Sequence, residues 1–351
     1  MNPKISIVTP NFNKGEVVRE CISSVHSQSF QNWELHFIDD GSTDGSFEAA
    51  IEAANGDERI LFSKNTTGIK GANAARNQGI ENVKSEFVIF LDSDDLMTPN
   101  CLEQRLNDFA RYPDLDFITY PMGLFINEIG DSEFISNIPT EKSDLHRFLD
   151  RDIVWLISGP TWKKSALESL GCFDLNLQSQ QDYDLHVRSL IKGLKYKYIH
   201  RIPDIYYRRE VDSVPRRTSQ SLDHFRQRFN MILHHEEMLR EEGILNEKER
   251  LLLARYILDL AQMMRWHIAD LGRKAQTEAL AMWEKAYELK LVSKDRYGVG
   301  ITYIRFKHNM TFNRLGFLQR YLEKNFRKHL GDLIFHPSTT YCQVTMADYD
   351  E

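Results

Sequence analysis

The chain has 351 residues, 42% of them hydrophobic and 27% charged, enough for one large globular domain and a smaller one. Its formal net charge of −7 excludes bulk attraction to nucleic acid, so no nucleic-acid partner is expected. The four cysteines (Cys21, Cys101, Cys172, Cys342) form no C-x-x-C pair, which argues against a zinc site or a disulfide framework and suits a reducing cytosol.

The amino terminus runs directly into a β-rich segment, Ile5 to Thr9, without a signal-peptide pattern. The chain also lacks an apolar run of about 18 residues that could span a bilayer. A cytoplasmic location is therefore expected. Gly15 to Gln28 carries Val18, Cys21, Ile22 and Val25 at helical spacing. Trp33 to Ile38 reads as a second strand and ends in Asp39-Asp40-Gly41. A helix follows over about Ser46 to Ala54, a strand over Arg59 to Ser63, and a helix rich in small residues over Lys70 to Val83. Phe87 to Leu91 is the fourth strand. This alternation predicts an α/β fold with a mostly parallel sheet and right-handed crossovers. From Phe117 to Arg209 the pattern is mixed. Short strands at Phe117 to Tyr120, Tyr196 to His200 and Ile205 to Arg208 surround a helix from Asp182 to Lys192, which Gly193 stops. After Pro215 long helical patterns take over: Leu222 to Glu241, Glu247 to Leu271 and Lys274 to Leu289.

The most informative stretch is Phe87-Val-Ile-Phe-Leu-Asp92-Ser93-Asp94-Asp95. A buried-strand pattern delivers three carboxylates to the edge where open α/β sheets bind ligands. Carboxylates this close repel one another unless a cation or donors sit among them. A hard divalent cation held by one or two carboxylates and by substrate phosphates fits. Taken alone, such a D-x-D is more often an acidic turn that caps the next helix. Asp39-Asp40 ends a second strand and brings further carboxylates toward the same edge, where one can accept N3–H of uracil. Asp44 suits the turn that follows. Arg76, in Gly71-Ala-Asn-Ala-Ala-Arg-Asn-Gln-Gly79, is either a solvated helix arginine or a contact to a base or phosphate. Asp182 starts a helix, so it is either a cap or a general base; its segment alone leaves that open. Asp184 and Arg188 have the spacing of a helix ion pair.

Six blocks taken together resemble one family. They are Ser6-Ile-Val-Thr-Pro-Asn-Phe-Asn13, Ser23 to Phe30, Asp39-Asp-Gly-Ser-Thr-Asp-Gly-Ser46, Ala75-Arg-Asn-Gln-Gly-Ile80, Phe90-Leu-Asp-Ser-Asp-Asp95 followed by Pro99, and Asp182 to Arg188. In this order, over roughly residues 4 to 209, they resemble glycosyltransferase family 2. The resemblance implies a GT-A fold over residues 1–217, with a nucleotide-binding half at 1–98 and an acceptor-side half at 99–217, leaving 218–351 as a helical region of unknown role. It implies inverting, metal-dependent transfer of a sugar from a nucleotide-sugar donor, a UDP-sugar by preference, to a hydroxyl of a glycan, lipid-linked oligosaccharide or other acceptor. Carried over by position, Thr9, Pro10 and Asn11 line the base pocket. Asp39 or Asp40 contacts the base and Arg76 supports it. Asp92-Ser93-Asp94 is the D-x-D motif, Asp94 and Asp95 hold Mn²⁺ or Mg²⁺, and Asp182 is the general base.

One departure stands out: no histidine follows Tyr206-Tyr-Arg-Arg209. Arg208, Arg209, Arg216 and Arg217 are the candidates to take that role. Competing readings are a sugar nucleotidyltransferase or a nucleotide-binding scaffold with an inactive GT-A domain. The loop after the first strand is too poor in glycine for the former, and the intact acids speak against the latter. The first strand is also not followed by G-x-G-x-x-G, which weighs against a dehydrogenase. Beyond the resemblance, residues 301–330 carry seven Lys or Arg against a single acid, Glu323, with aromatics interleaved. That segment is either a core-facing helix with a solvated charged face or a peripheral contact with an anionic membrane. The helical region also offers a surface for a homodimer.

Overall fold

The structure is a computed structural model that describes residues 2–136, 140–209, 221–267, 273–308, 322, 324, 326 and 328–333. These fall into two compact units. The first holds the described residues through Glu141 and again from Ile153 to Arg209; the second holds Lys142–Asp152 and the described residues from Ser221 to Leu333.

The first unit starts with β1 (Ile5–Asn11), α1 (Val18–His26), β2 (Trp33–Asp39), α2 (Ser46–Ala54), β3 (Ile60–Lys64), α3 (Ala72–Asn82) and β4 (Phe87–Phe90). It continues with β5 (Leu96–Met97), α4 (Cys101–Arg111), β6 (Phe117–Thr119), β7 (Met122–Phe125) and β8 (Ile135–Ser136). The helix α5 (Asp144–Leu149) belongs to the second unit. The first unit ends with β9 (Thr161–Lys163), α6 (Lys164–Ser169), α7 (Gln181–Ile191), β10 (Tyr196–Tyr198) and β11 (Ile205–Arg208). The second unit continues with α8 (Leu222–Glu241), α9 (Glu247–Met263), α10 (Arg273–Glu288) and α11 (Lys294–Lys307).

A seven-stranded sheet has the order β10-β6-β9-β4-β1-β2-β3, and a smaller sheet the order β5-β11-β7-β8. In the large sheet only β9 runs antiparallel, between β4 and β6. All seven residues of β1 and all seven of β2 are buried, as a central parallel strand requires. Because β4, β1 and β2 are parallel neighbours, their carboxyl ends meet along one edge, with Asn11 opposite Asp39. The acids at 39–40 and 92–95 are thus brought together by topology.

Two packing features fix that edge. Gly79 lets α3 lie close on the sheet, since a Cβ there would come within 2.4 Å of Val8 Cγ1. Arg105 of α4 is fully buried and grips Asp204 with two hydrogen bonds, Nε to Oδ2 at 3.0 Å and Nη2 to Oδ1 at 2.6 Å. Truncating one partner of such a pair costs about 3–5 kcal/mol, because the other charge is left buried alone. The pair anchors the turn that leads into β11 and so toward Arg208.

Gly15–Val17 forms a 3₁₀ turn before α1, and the helix read through Leu271 leaves α-geometry at Met264–His267. Within the second unit α5 is tied to α9 by His146–Glu249, Arg255–Asp150 and Arg151–Asp259. Among the described residues no helix is long and apolar enough to cross a membrane. Arg216, Arg217 and most of the basic segment beyond His308 lie outside the described residues.

Candidate active site

The edge at the ends of β1, β2 and β4 collects the residues named from sequence. Asp39, at the end of β2, is saturated by the protein. Its Oδ1 accepts from Asn11 Nδ2 at 3.0 Å and Ser42 Oγ at 2.5 Å, and its Oδ2 from the backbone N–H groups of Gly41 and Ser42. Gly41 takes φ +88°, which lets the backbone fold over that carboxylate. Asp39 is therefore the organiser of its turn. Asp40 is half-buried and accepts one bond per oxygen, from Asn65 Nδ2 at 2.6 Å and Gly71 N at 2.8 Å. A carboxylate has about four acceptor positions, so Asp40 keeps capacity that Asp39 has spent. Asp44 accepts from the backbone of Ser46 and Gly15, and hydrogen bonding to Ser46 holds its carboxyl below the usual range.

The acidic turn after β4 is closed by a bond from Asp95 N to Asp92 O at 2.9 Å. Each of its carboxylates has a different partner. Asp92 Oδ1 accepts from Arg76 Nη2 at 2.6 Å, while the guanidinium lies 5.5 Å from the Phe173 ring centre. Asp94 pairs with Lys14 from the loop after β1. Asp95 is buried and accepts from Arg208 N at 3.1 Å. Burial first, then the neighbouring charges of Asp92 and Asp94, push its carboxyl well above the usual range. Arg208 closes the turn by donating Nε to Asp94 O at 3.2 Å and Nη2 to Glu20 at 2.6 Å. Of the four arginines proposed in place of the missing histidine, Arg208 is thus on the acidic turn itself.

Among the described residues, four buried polar atoms at this edge have no hydrogen-bond partner: Thr9 Oγ1, Asn11 Oδ1, Arg76 Nε and Ser93 Oγ. Leaving such an atom unpaired costs about 1–3 kcal/mol, and a polar ligand at this edge could satisfy these four.

Asp182 arrives from far along the chain. It lies in the first turn of α7, just after Gln180 at φ +62°. Burial raises its carboxyl above the ordinary value, the charge of Asp92 adds to that rise, and Arg76 opposes it. Asp184 pairs with Arg188 at 2.7 Å, as their spacing predicts. The loop before α7 is held by α3: Asn73 Nδ2 donates to the carbonyls of Asp174 and Leu177 at 2.9 Å, and Asn77 exchanges two bonds with the Phe173 backbone. The sequence reading gave no role to Lys14, Asn73, Asn77 or Phe173. The only available signal was that both asparagines sit beside Arg76 in the small-residue helix.

Metal fit is favourable in chemistry, though not as a closed cage. Among the described residues no group of three or more His, Cys, Asp or Glu is arranged to hold a metal ion. Asp94 already carries a cationic partner in Lys14, and Asp95 experiences an excess of negative charge. One or two carboxylates completed by ligand phosphates is the ordinary Mg²⁺ arrangement.

The mostly parallel central sheet and the helical C-terminal region resemble the GT-A glycosyltransferase fold. Residues 6–150 match the family model of glycosyl transferase family 2. An uncharacterized glycosyltransferase of Rickettsia typhi is 29% identical over 219 residues, which is 60% of this chain and 63% of the relative. Another, from Haemophilus influenzae, is 42% identical over 106 residues, 30% of this chain and 42% of the relative. The chain thus spans less than two thirds of the length of these curated relatives. Among solved structures, residues 1–349 of S. aureus TarS in complex with UDP superpose with a TM-score of 0.61 at 14% identity, covering 92% of each chain.

Proposed function

We propose that this protein is an inverting glycosyltransferase that moves a sugar from a UDP-sugar to a hydroxyl of a glycan or lipid-linked acceptor, with Mn²⁺ or Mg²⁺ as cofactor. One observation carries the reading: α3, whose Arg76 grips Asp92, also holds the loop that leads into Asp182, through Asn73 and Asn77. A base for the acceptor and a grip for the leaving diphosphate need to meet in that way.

In this reading Thr9, Pro10 and Asn11 form the floor for the base. Asp40 accepts its N3–H, which favours uracil over cytosine, and Asp39 shapes the turn beneath. Arg76 holds Asp92 in place and has its free Nε for the ligand. Ser93 and Asp94 would meet the ribose and diphosphate, and Asp94 and Asp95 would hold the metal. When bound, the metal neutralises charge on the departing diphosphate. Lys14 and Arg208 add fixed positive charge beside that position, where preorganised electrostatics count most. Asp182 takes the proton of the acceptor hydroxyl as it attacks the face opposite the leaving group. Its raised pKa makes it a better proton acceptor than an ordinary aspartate.

The uracil reading is supported by the capacity left on Asp40 and by the likeness of fold to a chain held in complex with UDP. Donor hydrolysis tests the function without knowledge of the acceptor. Incubated with Mn²⁺ and a panel of nucleotide sugars, the protein is expected to release UDP from at least one UDP-sugar and to leave the CMP- and GDP-sugars intact. Release from none of the panel would contradict the reading.

A further inference from the structure

The second unit contains a cleft of about 700 Å³ lined by none of the residues assigned to transfer. Its walls carry four cations, Lys248 and Arg250 from α9, Lys290 from the turn after α10, and Arg296 from α11, against one carboxylate, Glu247. A local excess of positive charge on a chain of net charge −7 is a specific placement. Among the described residues the side chains of Lys248, Lys290 and Arg296 have no ion-pair partner. Arg250 is held in place: its Nη1 donates to the carbonyls of Leu289 and Lys290 at 3.3 and 3.4 Å. Those bonds fix the turn in which Lys290 takes φ +57°. Buried Leu291 and Val292 give the cleft an apolar floor, which lowers the local dielectric and strengthens attraction to an anion.

Two long helices also begin here. Glu247 and Lys248 are in the first turn of α9, and Ser293 caps α11 by accepting from Arg296 N. Their N-terminal dipoles add to the positive potential. Four cations held together repel one another, and an anion with more than one charged group relieves that repulsion from several walls at once. We propose that this cleft binds an oligophosphate or phosphodiester anion, at a site separate in sequence and composition from the donor residues. The volume suits a ligand larger than a single phosphate. This inference does not depend on the proposed transfer reaction.

Calorimetry of the full chain with inorganic tripolyphosphate, in buffer free of divalent metal, tests it. The expected result is one binding event per chain, weakened at least tenfold in Lys248→Glu/Arg296→Glu and to a smaller degree in Lys248→Gln/Arg296→Gln. The neutral pair guards against a fold defect, and matching thermal unfolding of all three proteins checks it. Flotation with vesicles containing phosphatidylglycerol, an anionic phosphodiester lipid, separates the sources. Flotation that the charge reversal removes points to a lipid headgroup, and tripolyphosphate binding without flotation points to a soluble ligand. Absence of binding by the unaltered protein, or equal binding by the charge-reversed pair, would overturn the proposal.

Discussion

Asp182→Asn is expected to lower sugar transfer by about 10²–10⁴-fold, the usual contribution of a positioned base. UDP and Mn²⁺ binding should stay unchanged, since the binding residues belong to other elements. The amide keeps the size of the side chain and its place in the first turn of α7 but cannot take the acceptor's proton. A pH profile adds a readout that a merely structural role would not move. A base works deprotonated, so the rate falls as pH falls through its pKa. Burial raises the Asp182 carboxyl, so the acid limb of the unaltered enzyme should lie above the ordinary aspartate range and vanish from the residual activity of the variant. Full transfer activity in Asp182→Asn would mean that the base is another group.

Asp94→Ala is expected to weaken UDP binding at least tenfold when Mn²⁺ is present and much less when it is absent. Tenfold corresponds to about 1.4 kcal/mol, a modest demand on a carboxylate that meets a divalent ion. Paired titrations with and without Mn²⁺ isolate the metal-dependent part. In the unaltered protein Asp94 pairs with Lys14, so the variant also frees that ammonium. Lys14→Ala alone is the control: it removes the ammonium but leaves the carboxylate for the metal. Equal loss of UDP affinity with and without Mn²⁺ in Asp94→Ala would assign Asp94 to the nucleotide and not to the metal.

Much of the first unit was legible because its strands are short runs of β-favouring apolar residues and its helices have clean periodicity. α2, β11 and α8 fall at the residues that spacing predicts. What was missed has physical causes. β9 is three residues long, too short to show alternation, and its place between β4 and β6 is set by tertiary pairing. α4 buries Arg105 and Asp108, whose partners Asp204 and Arg201 come from about a hundred positions away, beyond any local pattern. α5 joins the helical unit through pairs with α9 residues about a hundred positions away, which local pattern cannot reveal.

The site shows the same division. Strand-end acids and Arg76 could be named from the motif, and the parallel neighbours β4, β1 and β2 explain why they meet. The unequal states of Asp39 and Asp40 could not be read, since they depend on where the Gly41 and Gly71 amides point. Nor could the pairing of Lys14 with Asp94 or of Arg208 with the acidic turn, because each joins loops from distant elements.

The central claim is that the acceptor attacks the face opposite the diphosphate, directed by Asp182. Proton NMR of the first sugar released from an α-linked UDP-sugar, with water as acceptor and before mutarotation, tests it most directly. The account predicts the β anomer at early times; an initial α anomer would contradict it.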